Sequence, residues 1–581
     1  MKTGKLISIA LLSLAMACSK ENVTSNQGGS DANQYMAVDI AMSVGSSTKA
    51  PADYRDGSEA ESTVNVNNSI FLFYDAYGNY LTSGVISATD GSVDENGNLK
   101  LTINNQSGFV EKESKAVIVL GPTRLRPALV FAVLNYDNCN ALKTLSLADV
   151  HKKVDNKAIS TEAGKFTMTN SIYVDGNNVV NATPIAASSV KETKEEALKS
   201  PVQIYVEREV AKVNMKAKDG LNKTADGKIC FETPNAEYVL NGVKVSARIV
   251  VDGWAANAFN TTSYLVKEVP ASWLDTKPFA DWYDEAAKRT FWAQDPNYSG
   301  SEDYVFGRTP EGEPGTYKNV KYLSWNEATQ NKVDSYNYMY ENTTDKASAR
   351  VNGGELANVP TILIAAHVET AKTGEAWTRQ DIYKFGGLFY TDESLRNYAA
   401  EQILKGKLEW EYTTAEGLKT ASVLPDQVIA KFVANVVDNS GSVKVEVEAL
   451  TAPAEGAKLM KKEGESASEI ESANWAKTVE DILNGENGFN IAKKELVCFK
   501  NGMCYYQVPI KHNQTAEDVA YGTVRNHIYE LTLSKIAKIG NPVFDPEEKL
   551  VLIPGEEKNY YVSAELKVLK WRVITQDVVI E

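Results

Sequence analysis

Three apolar runs constrain this chain more than anything else in it. Ser69 to Tyr74 reads SIFLFY, Ala128 to Leu134 reads ALVFAVL, and Asn358 to Val368 reads NVPTILIAAHV. Each is short and bounded by turn formers, the pattern of a strand buried in a sheet rather than of a helix. Leu99 to Ile103, Lys115 to Leu120 and Arg525 to Ile536 read the same way, and Pro201 to Lys218 reads as one long strand. Hairpins are expected at Ser171 to Asn181 and Val497 to Ile510; Glu237 to Val251 is one strand or a hairpin about Asn241-Gly242. Tyr336, Tyr338 and Tyr340 alternate as one face of a strand. Helices are few. One covers Asn140 to Val154 and another Ser394 to Lys405, stopped by Gly406. The third runs from Ser468 to Leu483, with Ser466 and Glu469 as a capping box, Trp475, Val479, Ile482 and Leu483 as its stripe, and Gly485 at its end. Short strands at close spacing predict a mainly β chain of antiparallel sandwiches. With 581 residues there is room for more than one core, and Asp219-Gly220 with the polar run to Gly227 reads as a boundary.

The opening residues read as a targeting segment. Lys2 and Lys5 precede an apolar stretch, Leu6 to Met16, too short to span a membrane as a mature helix. Small residues lead to Cys18 in LAMAC, which resembles a bacterial lipobox. Export, acylation of Cys18 and cleavage just before it are expected, giving residues 1–17 as signal peptide. Ser19 to Asn33 is a polar tether.

Chemistry is hard to find. His151, His367, His512 and His527 stand far apart, and no paired-His, nucleophile-elbow, P-loop or dinucleotide spacing occurs. No catalytic residue, metal site or cofactor is expected. Asp90 to Gly97 has Glu95 where a calcium loop needs Gly, so Asn96-Gly97 reads as a hairpin turn. The net charge of −15 makes nucleic acid an improbable partner. Cys139, Cys230, Cys498 and Cys504 read as buried free thiols, with a Cys498–Cys504 bridge as the alternative. The aromatic stretch from Trp254 to Trp325 covers a sheet face or binds a sugar or a subunit; the structural reading is preferred. His527 reads as a hydrogen-bonded core histidine, and Arg525 as the partner of a buried carboxylate or carbonyl cluster.

The two ends of the folded part carry the most information. In QYMAVDIAMSVGSSTK, Met36, Val38, Ile40, Met42 and Val44 share one face, the mark of a strand with one buried side. A tether precedes it. A loop with Lys49 and Arg55, open to a protease, follows. At the other end Leu566 and Val568 take one parity, Leu569, Trp571 and Val573 the other, and Val578 and Ile580 return to the first. A bulge or bend accounts for the flips. The run is either the last strand of its own sheet or an arm for another molecule's sheet.

Four stretches together resemble the Bacteroidetes fimbrillin family, the type V pilins, most closely the Mfa-type major subunits. They are Cys18 with its QYMAVDIAMSVGSSTKA leader, VEREVAKVNMKAK at Val206 to Lys218, GMCYYQVPIKH with YGTVRNHIYELTLSKIAKIGNP at Gly502 to Pro542, and the terminal AELKVLKWRVITQDVVIE.

The resemblance implies two transthyretin-like β-sandwich domains, at 50–219 and 220–563, with a lipidated tether and removable strand at 18–49 and a donor strand at 564–581. It implies a structural pilin, not an enzyme. The precursor is exported as a palmitoylated lipoprotein anchored in outer-membrane lipid. A processing protease cuts after Lys49, or after Arg55, and the first strand leaves. The C-terminal strand of a neighbouring copy fills the gap, building a surface fimbrium that serves adhesion and biofilm formation. Other partners implied are anchor and tip subunits. The alternative is a tip or accessory adhesin, or an anchor lipoprotein, that binds host protein or glycan.

Overall fold

The computed structural model of the chain describes residues 34–42, 63–65, 68–87, 100–104, 111–121, 126–155, 166–232, 238–240, 243–274, 283–284, 289–296, 320–343, 350–351, 355–356, 359–372, 374–435, 441–490, 496–513, 520–551, 562–569 and 575–578. Cys18, Val44, Lys49, Arg55, the Asp90–Gly97 turn, Trp282, Trp571, Val573 and Ile580 lie outside them.

The first domain is a circuit of strands. β1 is Gln34–Met42, β2 Ser69–Tyr74, β3 Tyr80–Ser87, β4 Glu111–Gly121, β5 Leu129–Leu134, β6 Met168–Asn170 and β7 Val202–Arg208. They neighbour one another in the order β1-β7-β6-β5-β2-β3-β4, and β4 pairs again with β1. Inside sit Phe71, Phe73, Val130, Ala132, Leu134, Met168, Ile204 and Val206. The opposite faces of β2 and β5 are buried too. Ile70, Leu72, Tyr74, Phe131 and Val133 pack against α1 (Leu147–His151) and against Leu265, Phe291 and Trp292 from the next domain. Cover on both sides is why these two strands are apolar at nearly every position. A second short helix, α2 (Lys194–Ala197), lies outside β1.

The expected long strand from Pro201 to Lys218 is two strands. β7 ends at Arg208, and β8 (Val210–Ala217) belongs to a different sheet. The chain therefore crosses between domains at Glu209, ahead of Asp219-Gly220. β9 is Val243–Asn257, with Tyr238–Leu240 paired antiparallel to its start; Asn241-Gly242 lies outside the described residues. After α3 (Trp325–Ala328) come β10 (Tyr336–Tyr340) and β11 (Thr361–Ala371).

An additional module follows, unforeseen in the expected single domain 220–563. It holds β12 (Ile382–Phe385), α4 (Asp392–Tyr398) running on as a π-helix to Leu404, β13 (Leu408–Thr414), β14 (Val443–Leu450), α5 (Trp475–Asn484) and β15 (Val497–Phe499). Leu395, Trp410, Leu459, Val479, Leu483 and Cys498 form its own core. α5 begins at Trp475, not Ser468. Gly464, at φ 67°, turns a hairpin whose second strand, Ser466–Ile470, pairs with Lys458–Glu463, so cross-strand bonds claim the residues ahead of the helix.

The chain then returns to the second sandwich with β16 (Met503–Pro509), β17 (Ile528–Ile536), β18 (Val562–Leu569) and β19 (Thr575–Val578). One sheet runs β10-β8-β17-β18-β19, and the other centres on β9-β11-β16. Val213, Met215, Leu531 and Leu533 of the first face Ile249, Trp254, Ile364 and Tyr506 of the second. Antiparallel pairing predominates, with parallel exceptions at β1–β7 and β8–β17.

Val497 to Ile510 is not a hairpin. β15 pairs with β12 and β16 with β11, because Lys500–Gly502 steers the chain from one module to the other. Gly502 has φ 69° and a Cβ there would lie 2.4 Å from the Val368 carbonyl oxygen, so no other residue fits. Cys498 and Cys504 consequently enter different cores as free thiols, and burial pushes both up to about 12. Buried and protonated, they are unreactive.

Candidate functional site

The first strand is held along both edges. On one side β4 runs antiparallel to its whole length, from Tyr35↔Val119 to Met42↔Lys112. On the other, β7 runs parallel to it from Val38↔Val202 to Ala41↔Tyr205, and Val190–Lys191 pairs with its first residues. Met36 and Val38 are fully buried in the core of the circuit, as the alternation predicts. Ile40 and Met42 continue that parity on β1. Ala37, expected on an open face, is equally buried, since α2 sets Ala197 against it. Two alanines permit this close approach. The charged run Lys191 to Ser200 reads in the sequence as either a short helix or a solvated connector; the helix is what forms, at Lys194–Ala197, and its role as a clasp on β1 has no signal in the sequence.

What this arrangement can do follows from its position. An edge strand that leaves exposes one row of backbone groups. β1 has neighbours on both sides, so its departure would unpair β4 and β7 together and uncover the sockets of Met36 and Val38. Such a gap fits one kind of object, an extended apolar-alternating segment.

The terminal run is in the other domain. Leu566, Val568 and Leu569 lie on β18, which pairs antiparallel with β17 from Tyr529↔Val568 to Ile536↔Val562. Val578 lies on β19, whose partner is β18. The run thus folds back as a hairpin at the margin of its own sheet rather than extending in one piece. The structure does not bring it near β1 within one chain.

A buried polar junction joins the two domains. Glu207, on β7, receives the Lys267 ammonium at 2.8 Å, both fully enclosed, and burial pulls the Lys267 pKa down. Arg208 donates to the Asn526 side chain at 3.2 Å, and Arg289 to the Asn526 carbonyl at 3.0 Å. Arg525 is wholly buried. Its Nε meets the Glu341 carboxylate at 3.2 Å, and its two terminal nitrogens donate to the carbonyls of Leu265 (3.2 Å) and Tyr264 (2.7 Å). The expectation for Arg525 named both a carboxylate and carbonyls, and both are present. VEREV and VRNHIY, remote in sequence, are therefore two halves of one contact. Three consecutive charges in an apolar strand were the available signal, because charged residues enter a core only when paired.

His527 sits in this junction with Nδ1 donating to the Arg525 carbonyl at 2.8 Å and Nε2 buried without a hydrogen-bond partner. Burial first, then the nearby Arg289 and His512, drive its pKa well below the ordinary histidine range. The folded state then binds fewer protons than the unfolded one, whose histidine titrates near about 6.5. Stability from this group is whole above that pH and falls below it, at roughly 1.4 kcal/mol per pH unit. Urea midpoints are expected to be flat from pH 8 to 7 and to decline below about 6.5, with a shallower decline in His527→Gln. An unchanged slope in that variant would remove His527 from the account.

The tryptophans serve packing. Trp254, Trp292 and Trp325 are buried, and the Trp325 indole donates to the carbonyls of Ala366 and Cys504. Among the described residues no group of three or more His, Cys, Asp or Glu is placed to hold a metal.

Residues 497–577, from β15 to β19, match the family model described as "Major fimbrial subunit protein type IV, Fimbrillin, C-terminal". The C-terminal part of the chain is thus similar to the C-terminal region of fimbrillins. The matched segment includes Arg525 and His527 at the junction and the terminal hairpin. No curated protein matches the chain. Among solved structures, a candidate cell adhesion protein from Parabacteroides distasonis ATCC 8503 is similar at 10% identity and TM-score 0.34, over 93% of this chain and 100% of that chain. A fimbrial assembly protein from the same organism gives 10% and 0.26, over 67% and 98%. The tip fimbrial protein Mfa3 from Porphyromonas gingivalis, truncated at its C-terminus, gives 8% and 0.26, over 86% and 95%. Likeness this distant adds nothing to the family match.

Proposed function

We propose that this chain is a fimbrillin, a structural subunit of a cell-surface fimbria, and that β1 is a temporary occupant of its own slot. The observation that carries the reading is that β1 alone closes the circuit, bonded to β4 on one side and β7 on the other. In this reading the precursor is exported, lipidated at Cys18 and anchored in outer-membrane lipid. A protease cuts after Lys49 or Arg55. β1 then leaves, and the terminal run of another copy, with Leu566, Val568, Leu569, Trp571, Val573, Val578 and Ile580 as its apolar positions, takes the slot. Anchor and tip subunits would complete the filament, which would support adhesion and biofilm formation. The chemistry is strand pairing, with no catalysis.

The energetics favour exchange over simple loss. Vacating the sockets of Met36 and Val38 forfeits roughly 1.5–3 kcal/mol for each side chain, before the unpaired backbone is counted. A segment that restores both recovers this. Among the described strands β19 pairs with β18 alone, so it can peel away without opening the sandwich core. Removing Gln576 to Glu581 is expected to abolish filaments seen by electron microscopy while leaving the secreted precursor folded. Normal filaments from that variant would end the donor assignment.

A second reading makes the chain a tip adhesin with the aromatic stretch as binding surface. Burial of Trp254, Trp292 and Trp325 counts against that surface.

A further inference from the structure

A cleft of about 1030 Å³ opens between the two domains, away from both the β1 slot and the terminal hairpin. Its first-domain wall is the Tyr77-Gly78 turn, α1 and the hairpin of Tyr173–Asp175 with Asn178–Val180. Residues 264–274 and Gln294 form the facing wall. The size is that of a small-molecule site.

Its walls are fixed. Asp75 accepts the backbone amides of Tyr77 (2.8 Å) and Asn79 (2.9 Å) on one carboxylate oxygen and the Asn79 side chain on the other. That lock presents Tyr77, 92% exposed, on an ordered turn. A large aromatic ring held in water at a cleft mouth has no packing role to explain it. The His151 ring donates through Nε2 to the Asn181 carbonyl at 3.1 Å, tying the hairpin to α1.

The lining mixes apolar side chains, among them Leu147, Ile172 and Val269, with polar ones. Asn178, Asn181 and Gln294 offer carboxamides, and Tyr77 and Tyr264 offer rings and phenols. Lys267 contributes no free charge, because Glu207 neutralises it within the protein. Two charged groups remain: Lys152, exposed on the α1 side, and Glu268, half-buried on the facing wall. Desolvation raises the Glu268 pKa, with no cation offsetting it. Beside it, the Gln294 amide donates to the Glu268 carbonyl at 2.8 Å, which sets the two side chains next to each other. Carboxamides, a lone carboxylate acceptor and an aromatic platform are the groups that bond vicinal hydroxyls and cover the apolar face of a pyranose. An anionic ligand would meet Glu268 and the protein's net charge of −15.

We propose that this interdomain cleft binds an uncharged oligosaccharide, with Tyr77 as the stacking platform and Glu268, Asn181 and Gln294 as the hydroxyl-bonding groups. The site does not depend on strand exchange, since every wall belongs to one folded chain. It also lies apart from the buried tryptophans.

The test uses the precursor chain from Ser19 onward, without signal peptide or lipid, and saturation-transfer NMR. The probes are lactose, maltotriose, mannotriose and chitotriose, with sialyllactose as an anionic comparator and a polar peptide pool as a protein-like one. At least one neutral sugar is expected to bind with a Kd below about 1 mM, weakened about tenfold or more by Tyr77→Ala and by Glu268→Gln. Tyr77 is on the surface and Glu268→Gln is isosteric, so both variants are expected to fold, checked by an unchanged urea midpoint. No neutral sugar bound at about 10 mM, binding indifferent to both substitutions, or preference for sialyllactose or the peptides would each overturn the assignment.

Discussion

A chain beginning at residue 50 is expected to lose its monomeric first domain. β1 supplies Met36 and Val38 to the core and both backbone edges that join β4 to β7. The two side chains alone are worth roughly 3–6 kcal/mol together, which is comparable to the whole stability of a domain. Unpaired amides and carbonyls along two strands add to the loss. The expected behaviour is association into multimers, with dye-accessible apolar surface and rapid hydrogen exchange in β4 and β7 of whatever monomer remains. The second sandwich and its inserted module have separate cores and should keep their protection. Adding a synthetic peptide of residues 34–44 should return the first domain to the monomeric state. A residue-50 chain that stays monomeric with unchanged exchange in β4 and β7 would show that the strand is dispensable.

Replacing Arg525 is expected to be the most damaging single change in the second half. The guanidinium, wholly buried, bonds one carboxylate and two carbonyls. Arg525→Ala strands the Glu341 charge, a loss of about 3–5 kcal/mol. Arg525→Lys should restore little, since an ammonium cannot span the same fork of acceptors. Removing both charges in Arg525→Leu with Glu341→Leu should cost less than the single alanine, because neither partner is left unpaired. Urea unfolding of the unsubstituted chain and the three variants measures these differences. A single-variant loss below about 1 kcal/mol would mean that the pair contributes little.

The strands that were legible from sequence are those whose faces have one assigned environment. SIFLFY and ALVFAVL are covered on both sides, and their unbroken apolar character says so. The alternation in QYMAVDIAM predicted Met36 and Val38 inward. It could not show that Ala37 would also be covered, because an alanine fits either face. The break at Glu209 was illegible for a related reason. Periodicity runs smoothly through VEREVAKV, and only the pairing partners, far away in sequence, divide it between two sheets. The Val497–Ile510 hairpin failed because each half has a better neighbour, β12 for one and β11 for the other. The inserted module was hidden by its ordinary composition. Of the site, the strand itself was readable, while its two partners and its clasp depend on tertiary register.

Mass spectrometry of the subunit N-terminus in assembled filaments tests the central claim most directly. The account predicts a terminus immediately after Lys49 or Arg55, with residues 34–42 absent from the filament. A filament whose subunits still begin at lipidated Cys18, or anywhere before Gln34, would contradict it, because β1 would still occupy the slot that a neighbour must enter.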